Sequence, residues 1–178
     1  MDPVVDTTLR TALALLFAVA AVHKLRDLER FRATVAAYRI LPTAVAGPAA
    51  ALLVAVESVL AAALLAPALR TASLVAAAAM LVTYGAAIAI NLARGRRDLD
   101  CGCAGPAVRR PISGWLVARN AALATMALGG LVPLQPRALL WVDALTVLAA
   151  TAALAACYAS LDRLLAHAPA LARLRGAA

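Results

Sequence analysis

Residues 43–69 read TAVAGPAAALLVAVESVLAAALLAPAL, and this stretch contains one ionisable side chain, Glu57. As an α-helix it is about 40 Å long at ~1.5 Å per residue, more than the ~30 Å of hydrocarbon in a bilayer. Pro48 and Pro67 stand near its ends, where a helix tolerates them best. A run this long and apolar predicts a membrane-spanning helix. Thr71 to Ala93 repeats the pattern directly after it. The rest of the chain agrees, with 65% hydrophobic residues, only 4% aromatic, and a mean hydropathy of +0.88. A soluble domain is usually about half apolar. The alternation of polar and apolar residues that marks an outer-membrane barrel is missing.

Outward from this core, three more apolar segments emerge. Thr7 to Lys24 is the weakest, because Arg10 interrupts it and Lys24 closes it. Ser113 to Val132 follows Pro111, with Ser113 placed as an N-cap, and fades at Gly129-Gly130. Ala138 to Leu161 follows Pro136. Trp115 and Trp141 stand near the starts of the last two, where an indole suits the headgroup boundary. Between the first two spans, residues 25–41 place Leu25, Leu28, Phe31, Val35 and Tyr38 at helical spacing among Arg26, Arg30, Arg32 and Arg39. That pattern predicts a basic amphipathic helix in the headgroup plane. The expected architecture is all-α: one domain over residues 1–178, with four to five transmembrane helices and one interfacial helix. Ala18-Val19-Ala20 resembles a signal-peptidase site, but Met1-Asp2 lacks the clustered positive charge of a leader, so no cleavage is expected.

The formal net charge is +8, and its placement speaks for a membrane rather than a nucleic acid. Lys24 and the arginines of residues 25–41 form one group; Arg94, Arg96, Arg97, Arg109 and Arg110 form another; Arg163, Arg173 and Arg175 a third. With five crossings these groups share one side, and Arg10, Arg70 and Arg137 lie on the other. The positive-inside rule then places the 94–110 loop and the C-terminus in the cytoplasm of a multi-pass protein of the cytoplasmic membrane. No nucleic-acid motif appears, and the lipid bilayer is the first partner.

That loop carries the chemistry. Asp98-Leu99-Asp100-Cys101-Gly102-Cys103-Ala104-Gly105-Pro106 sets two thiols one glycine apart. Such a pair forms a small strained disulfide ring, which exchanges readily, or clamps a soft ion. Two sulfurs suit low-coordinate Cu(I), whereas structural zinc normally takes four ligands. Cys101 and Cys103 are therefore the candidate catalytic pair, with a redox-active disulfide as the expected device and Cu(I) binding, or a purely structural subunit, as alternatives. No haem, flavin or nucleotide motif is evident. Polar residues within spans are costly and each needs a reason. Counted along the helices, Lys24, Asn91, Arg119 and Asn120 fall towards the cysteine side, and Glu57 nearer mid-depth. Lys24 and Arg119 would lower a thiol pKa, and Asp98 and Asp100 would oppose them. Glu57 is a proton carrier or a counter-ion, with Arg119 reaching towards it if the helices tilt. Lys24 either serves the site or snorkels to the interface. Asp143 falls at a depth comparable to Glu57 from the opposite face, or at the interface, since it is close to a span end. His23 reads as a polar helix-end residue and Cys157 as a small hydrophobe, with a resolving role if the last span brings it beneath the loop.

Several blocks together resemble the MauE family of methylamine-utilisation membrane proteins, within the DoxX-like group. They are His23-Lys24-Leu25-Arg26-Asp27, Tyr38 to Pro42, Glu57, Asn91-Leu92-Ala93-Arg94-Gly95-Arg96, Asp100-Cys101-Gly102-Cys103-Ala104-Gly105 and Arg119-Asn120. Ala104 departs from the bulkier, often aromatic residue expected there. The resemblance spans the first four segments. It implies a role in maturing a periplasmic amine dehydrogenase, whose small subunit needs several disulfides and a tryptophan-derived quinone, together with a thioredoxin-like partner; a small thiol is the other candidate partner. A periplasmic client conflicts with a cytoplasmic cysteine loop. A re-entrant loop, a relay of reducing equivalents, or a failure of the charge rule would each resolve this.

Overall fold

The computed structural model describes residues 1–101 and 111–176, with the side chains after Leu161 set aside apart from Leu164. Its described residues form six α-helices and no strand. Helix α1 is Pro3–Arg26, α2 Leu28–Ala37, α3 Thr43–Leu65, α4 Arg70–Ala93, α5 Gly114–Gly129 and α6 Trp141–Gly176. Four segments are long and apolar enough to cross a membrane: α1, α3, Pro67–Ala93 and Trp141–Leu161. The chain is an integral membrane protein of the helical class. Helix α5 is shorter, about 24 Å at ~1.5 Å per residue, and packs along α4.

Local chemistry sets the helix ends. Asp2 caps α1 by accepting from the Val4 amide at 2.7 Å, with proline opening the first turn. His23, Lys24 and Arg26 crowd the last turn, where cations suit the helix dipole. Asp27 then breaks the helix and caps α2 through the Arg30 amide at 3.0 Å. Helix α3 stops at Leu65, short of the expected Leu69, because Pro67 starts a 3-10 turn and holds Ala66 extended. Ser113 flanks α5 as anticipated but makes no side-chain cap bond.

The core joins Leu13, Ala14 and Phe17 of α1, Leu60, Ala61 and Leu64 of α3, Leu74, Ala77 and Leu81 of α4, and Ala124 and Ala127 of α5. Its alanines let the backbones approach, the usual means of packing where lipid removes the hydrophobic driving force. Gly85 serves the α4–α5 contact: a Cβ there would lie 3.4 Å from the Asn120 Cβ. Phe31 of the amphipathic α2, with Leu28 and Val35, packs on Ala50 and Val54 of α3, so part of its apolar face is covered by protein.

Arg10 was expected to weaken the first span, and the structure shows how it is accommodated. Asp6 is buried, 2% exposed, between Arg10 Nη1 at 3.5 Å and Arg70 Nε at 2.7 Å. Arg10 Nε also donates to the Leu64 carbonyl at 2.8 Å, and Arg70 Nη2 to those of Gly130 and Val132. One carboxylate thus ties the start of α1, the end of α3, the start of α4 and the turn after α5. Nearby, Arg137 pairs with Asp2 and with Asp143 at the opening of α6. The Val4 amide and then Arg137 hold the Asp2 carboxyl below its usual 3.8, so this clasp is intact above that pH and is lost only as pH falls below it. Replacing Asp6 with Asn leaves two cations without their counter-ion. At the ~3–5 kcal/mol typical of a broken buried pair, the unfolding temperature in detergent should fall by roughly 6–20 °C. An unchanged value would show that water already solvates the cluster.

Candidate functional site

The most completely buried ion pair lies towards the other end of the bundle. Lys24 and Glu57 are 2% and 1% exposed, and Lys24 Nζ donates to Glu57 Oε1. The Tyr84 hydroxyl, on α4, accepts from Lys24 Nζ at 3.0 Å and donates to the same Glu57 oxygen at 2.7 Å. The Lys24 ammonium also lies 4.6 Å from the Tyr84 ring centroid and 4.8 Å from that of Phe31. Two opposite charges, a shared hydroxyl and two aromatic faces make burial tolerable where a lone ion would be costly. Lys24 therefore does not snorkel. Glu57 is its counter-ion, and the second oxygen, Oε2, is buried without a hydrogen-bond partner. Arg119 does not reach Glu57; its guanidinium lies over the Tyr158 ring of α6, 5.8 Å from the centroid.

Above this lock, α2 is held by the residues that end α4. Asn91, fully buried, accepts from Arg96 Nη1 at 3.0 Å and donates to the Ala87 carbonyl. Arg96 reaches the Ala37 carbonyl at 2.7 Å and that of Tyr38 at 3.3 Å, and Arg94 reaches that of Arg39 at 3.1 Å. These are carbonyls at and just beyond the end of α2, which has no basic residue in its last turn. Gly95 makes the turn between the arginines at φ 74°, a conformation that favours glycine. The Asn-Leu-Ala-Arg-Gly-Arg block is thus a clamp. Asn120 is likewise structural in its contacts: it is buried, donates to the Leu116 carbonyl at 2.8 Å and abuts Gly85.

The clamp delivers the chain to the cysteines. Ile112 donates its amide to the Leu99 carbonyl at 3.0 Å, and Asp100 bridges Pro111 in antiparallel fashion. This two-sided stem presents Cys101, half-buried, against the Ile88, Ile112 and Leu116 cluster. Arg30 of α2 pairs with Asp100 at 2.9 Å. A cavity of about 310 Å³ opens between α2 and the stem, lined by Arg30, Thr34, Tyr38, Asp98 and Asp100 among others. Cys103 lies outside the described residues, as do Arg109 and Arg110. Cys157 is exposed on α6 as a free thiol. Among the described residues, no three His, Cys, Asp or Glu side chains come together as a metal site.

Cys101, Asp100 and Asn91 thus share one end of the molecule, with Lys24 and Glu57 forming the buried lock. Tyr84, Phe31, Arg30 and Arg96 are the contributors that sequence reasoning passed over. Tyr84 left one trace, a hydroxyl inside an apolar span. The others belonged to patterns already explained by amphipathicity and loop charge.

Fold and site together define a small polytopic membrane protein, locked by a buried lysine–glutamate pair, that seats Cys101 beside a braced stem. Residues 2–133 match the model of the family described as Methylamine utilisation protein MauE. The chain belongs to the MauE family. It is 42% identical to Methylamine utilization protein MauE of Paracoccus denitrificans over 72% of its own length and 69% of the relative's. The protein of the same name from Methylophilus methylotrophus is 38% identical, covering 90% and 86%. That of Methylorubrum extorquens is 40% identical, covering 77% and 75%. No solved structure matches.

The lock gives a double-mutant test. Lys24→Met and Glu57→Leu each strand a buried partner, and each should destabilise the protein by about 3–5 kcal/mol. The double replacement should recover most of that loss, read as unfolding temperature in detergent. Additive losses would mean that the two residues act independently.

Proposed function

We propose that this chain is an accessory membrane protein of methylamine utilisation that works by thiol–disulfide exchange at Cys101 and Cys103. The observation that carries the reading is the fixed presentation of Cys101. A stem, a salt bridge and an apolar seat hold this thiol at the bundle end richest in cations. Spending that much structure on a loop favours a loop that reacts. The family match supports the pathway, since relatives at 38–42% identity carry the methylamine-utilisation name.

In the exchange, the Cys101 thiolate attacks one sulfur of a disulfide, either on a thioredoxin-like partner or formed by two molecules of a small thiol. The partner's other sulfur leaves as a thiolate and takes a proton. Cys103 then attacks the Cys101 sulfur, closing the ring and releasing the partner as a dithiol. Two electrons and two protons pass from the pair to the partner, and the reverse sequence reduces the ring. A two-cysteine ring around one glycine is strained, which favours ready exchange in both directions.

We place this end in the cytoplasm. Arg26, Arg30, Arg32, Arg39, Arg94, Arg96 and Arg97 gather there, against Arg10, Arg70 and Arg137 at the opposite end. The cation excess thus favours this end as the inner one. A relay, one step removed from a periplasmic client, follows from that placement. A membrane-impermeant maleimide applied to intact cells should leave a Cys157→Ser variant unlabelled until the membrane is opened. Labelling in intact cells would put the loop outside.

The exchange is tested by trapping. In a Cys103→Ser, Cys157→Ser variant the second step is blocked, so Cys101 should accumulate a mixed disulfide with its partner. The adduct should be visible on non-reducing gels, cleaved by dithiothreitol and absent when Cys101 is also Ser. No adduct with either a thioredoxin-like protein or a small thiol would refute the mechanism.

A further inference from the structure

We infer that the turn between α2 and α3, together with the end of α4, binds the headgroup phosphate of an anionic membrane phospholipid through Arg39 and Arg94. The inference is independent of the exchange proposed above. Arg94 Nη1 donates to the Arg39 carbonyl at 3.1 Å, so two segments 55 residues apart bring these arginines together. Arg97 stands just beyond, and all three are exposed. Arg10, Arg30, Arg32, Arg70 and Arg137 each meet a carboxylate. Among the described residues none does so for Arg39, Arg94 or Arg97, even though Asp98 follows Arg97 directly. Apart from the one bond to the Arg39 carbonyl, both guanidinium forks at this turn are open. A guanidinium matches phosphate bidentately, and two arginines at one turn offer a single anion both forks.

The depth of the turn favours a lipid over a free anion. Two apolar spans end beside it: α3 starts at Thr43, shortly after Arg39, and the span Pro67–Ala93 closes directly before Arg94. Both arginines therefore stand where hydrocarbon gives way to headgroups, the level at which basic residues attract anionic lipids. Ile40 and Leu41, next to Arg39, are 42% and 43% exposed. A dissolved phosphate has no use for large apolar side chains. A phospholipid uses both features, its phosphate on the arginines and its acyl chains against Ile40 and Leu41. The backbone adds a further mark. Arg39 has φ 49°, a left-handed conformation that residues with a Cβ rarely adopt. Arg96 and Arg94 hold it there by bonding the Tyr38 and Arg39 carbonyls in turn. Backbone kept in such a conformation by its surroundings recurs at ligand clamps. A bound phosphate would tie the α2–α3 turn to the end of α4, as carboxylates tie the helices elsewhere in the bundle.

The test titrates the full-length protein, in an uncharged detergent, with phosphatidylglycerol and counts bound lipid by native mass spectrometry. Phosphatidylcholine is the zwitterionic comparison and should bind more weakly by about fivefold or more. The Arg39 side chain makes no bond to the described protein, so Arg39→Gln should keep the parent unfolding temperature. It should weaken phosphatidylglycerol about fivefold, whereas Arg39→Lys should keep most of the affinity. Adding Arg94→Gln should deepen the loss by a similar factor. Arg32→Gln removes the same charge from α2, but Arg32 is paired with Glu29, so it should have little effect. Millimolar inorganic phosphate should leave the lipid bound. Equal affinity for the two lipids would overturn the inference. So would equal weakening by Arg32→Gln and Arg39→Gln, which would mark diffuse attraction, or a loss that Arg94→Gln does not deepen. Displacement by inorganic phosphate would make this a site for the free anion and overturn the lipid assignment.

Discussion

The ion pair between Lys24 and Glu57 is the constraint on which the rest of the fold depends. An ammonium or a carboxylate left alone in this apolar bundle would be far too costly to bury, so each residue dictates where the other must be. Their meeting fixes the rotation and depth of α1 against α3. The Tyr84 hydroxyl, bonded to both, adds α4 to the same register. Leucines and alanines alone would permit many rotations of such helices; one buried charge pair permits very few. At the opposite end, Asp6 plays a comparable part between Arg10 and Arg70.

From the lock a continuous series of contacts runs to the thiol. Lys24 faces the Phe31 ring, Phe31 seats α2 on α3, and α2 carries Arg30 to Asp100 beside Cys101. Asn91 and Arg96 secure the other end of α2. The polar blocks that mark the family in sequence thus divide the labour. Most build the platform, and Cys101 is seated on it.

Much of this was legible in the sequence. The long apolar runs gave the helical membrane class, while the breaks at Asp27 and Pro67 fell inside segments read as continuous, 25–41 and 43–69. What escaped were partnerships between helices, which depend on rotation and not on one-dimensional spacing. Glu57 was recognised as needing a partner, but depth counting offered Arg119, and only the packed bundle reveals Lys24 and Tyr84. Arg10 looked like an interruption because its neutralising Asp6 lies just outside the apolar run and Arg70 lies 60 residues on. The seat of α2 on α3 was not legible, because a protein surface and a bilayer ask the same amphipathic pattern of a helix.

The central claim is that this platform supports a reversible two-electron pair at Cys101 and Cys103. Equilibration of the purified Cys157→Ser protein in graded thiol–disulfide buffers, followed by acid quenching and mass-shift alkylation, measures it directly. The account predicts that both thiols disappear together in a single two-electron transition. Its midpoint should be more oxidising than the roughly −300 mV below which structural disulfides lie. A pair that stays fully reduced at every accessible potential, or thiols that titrate separately, would contradict it.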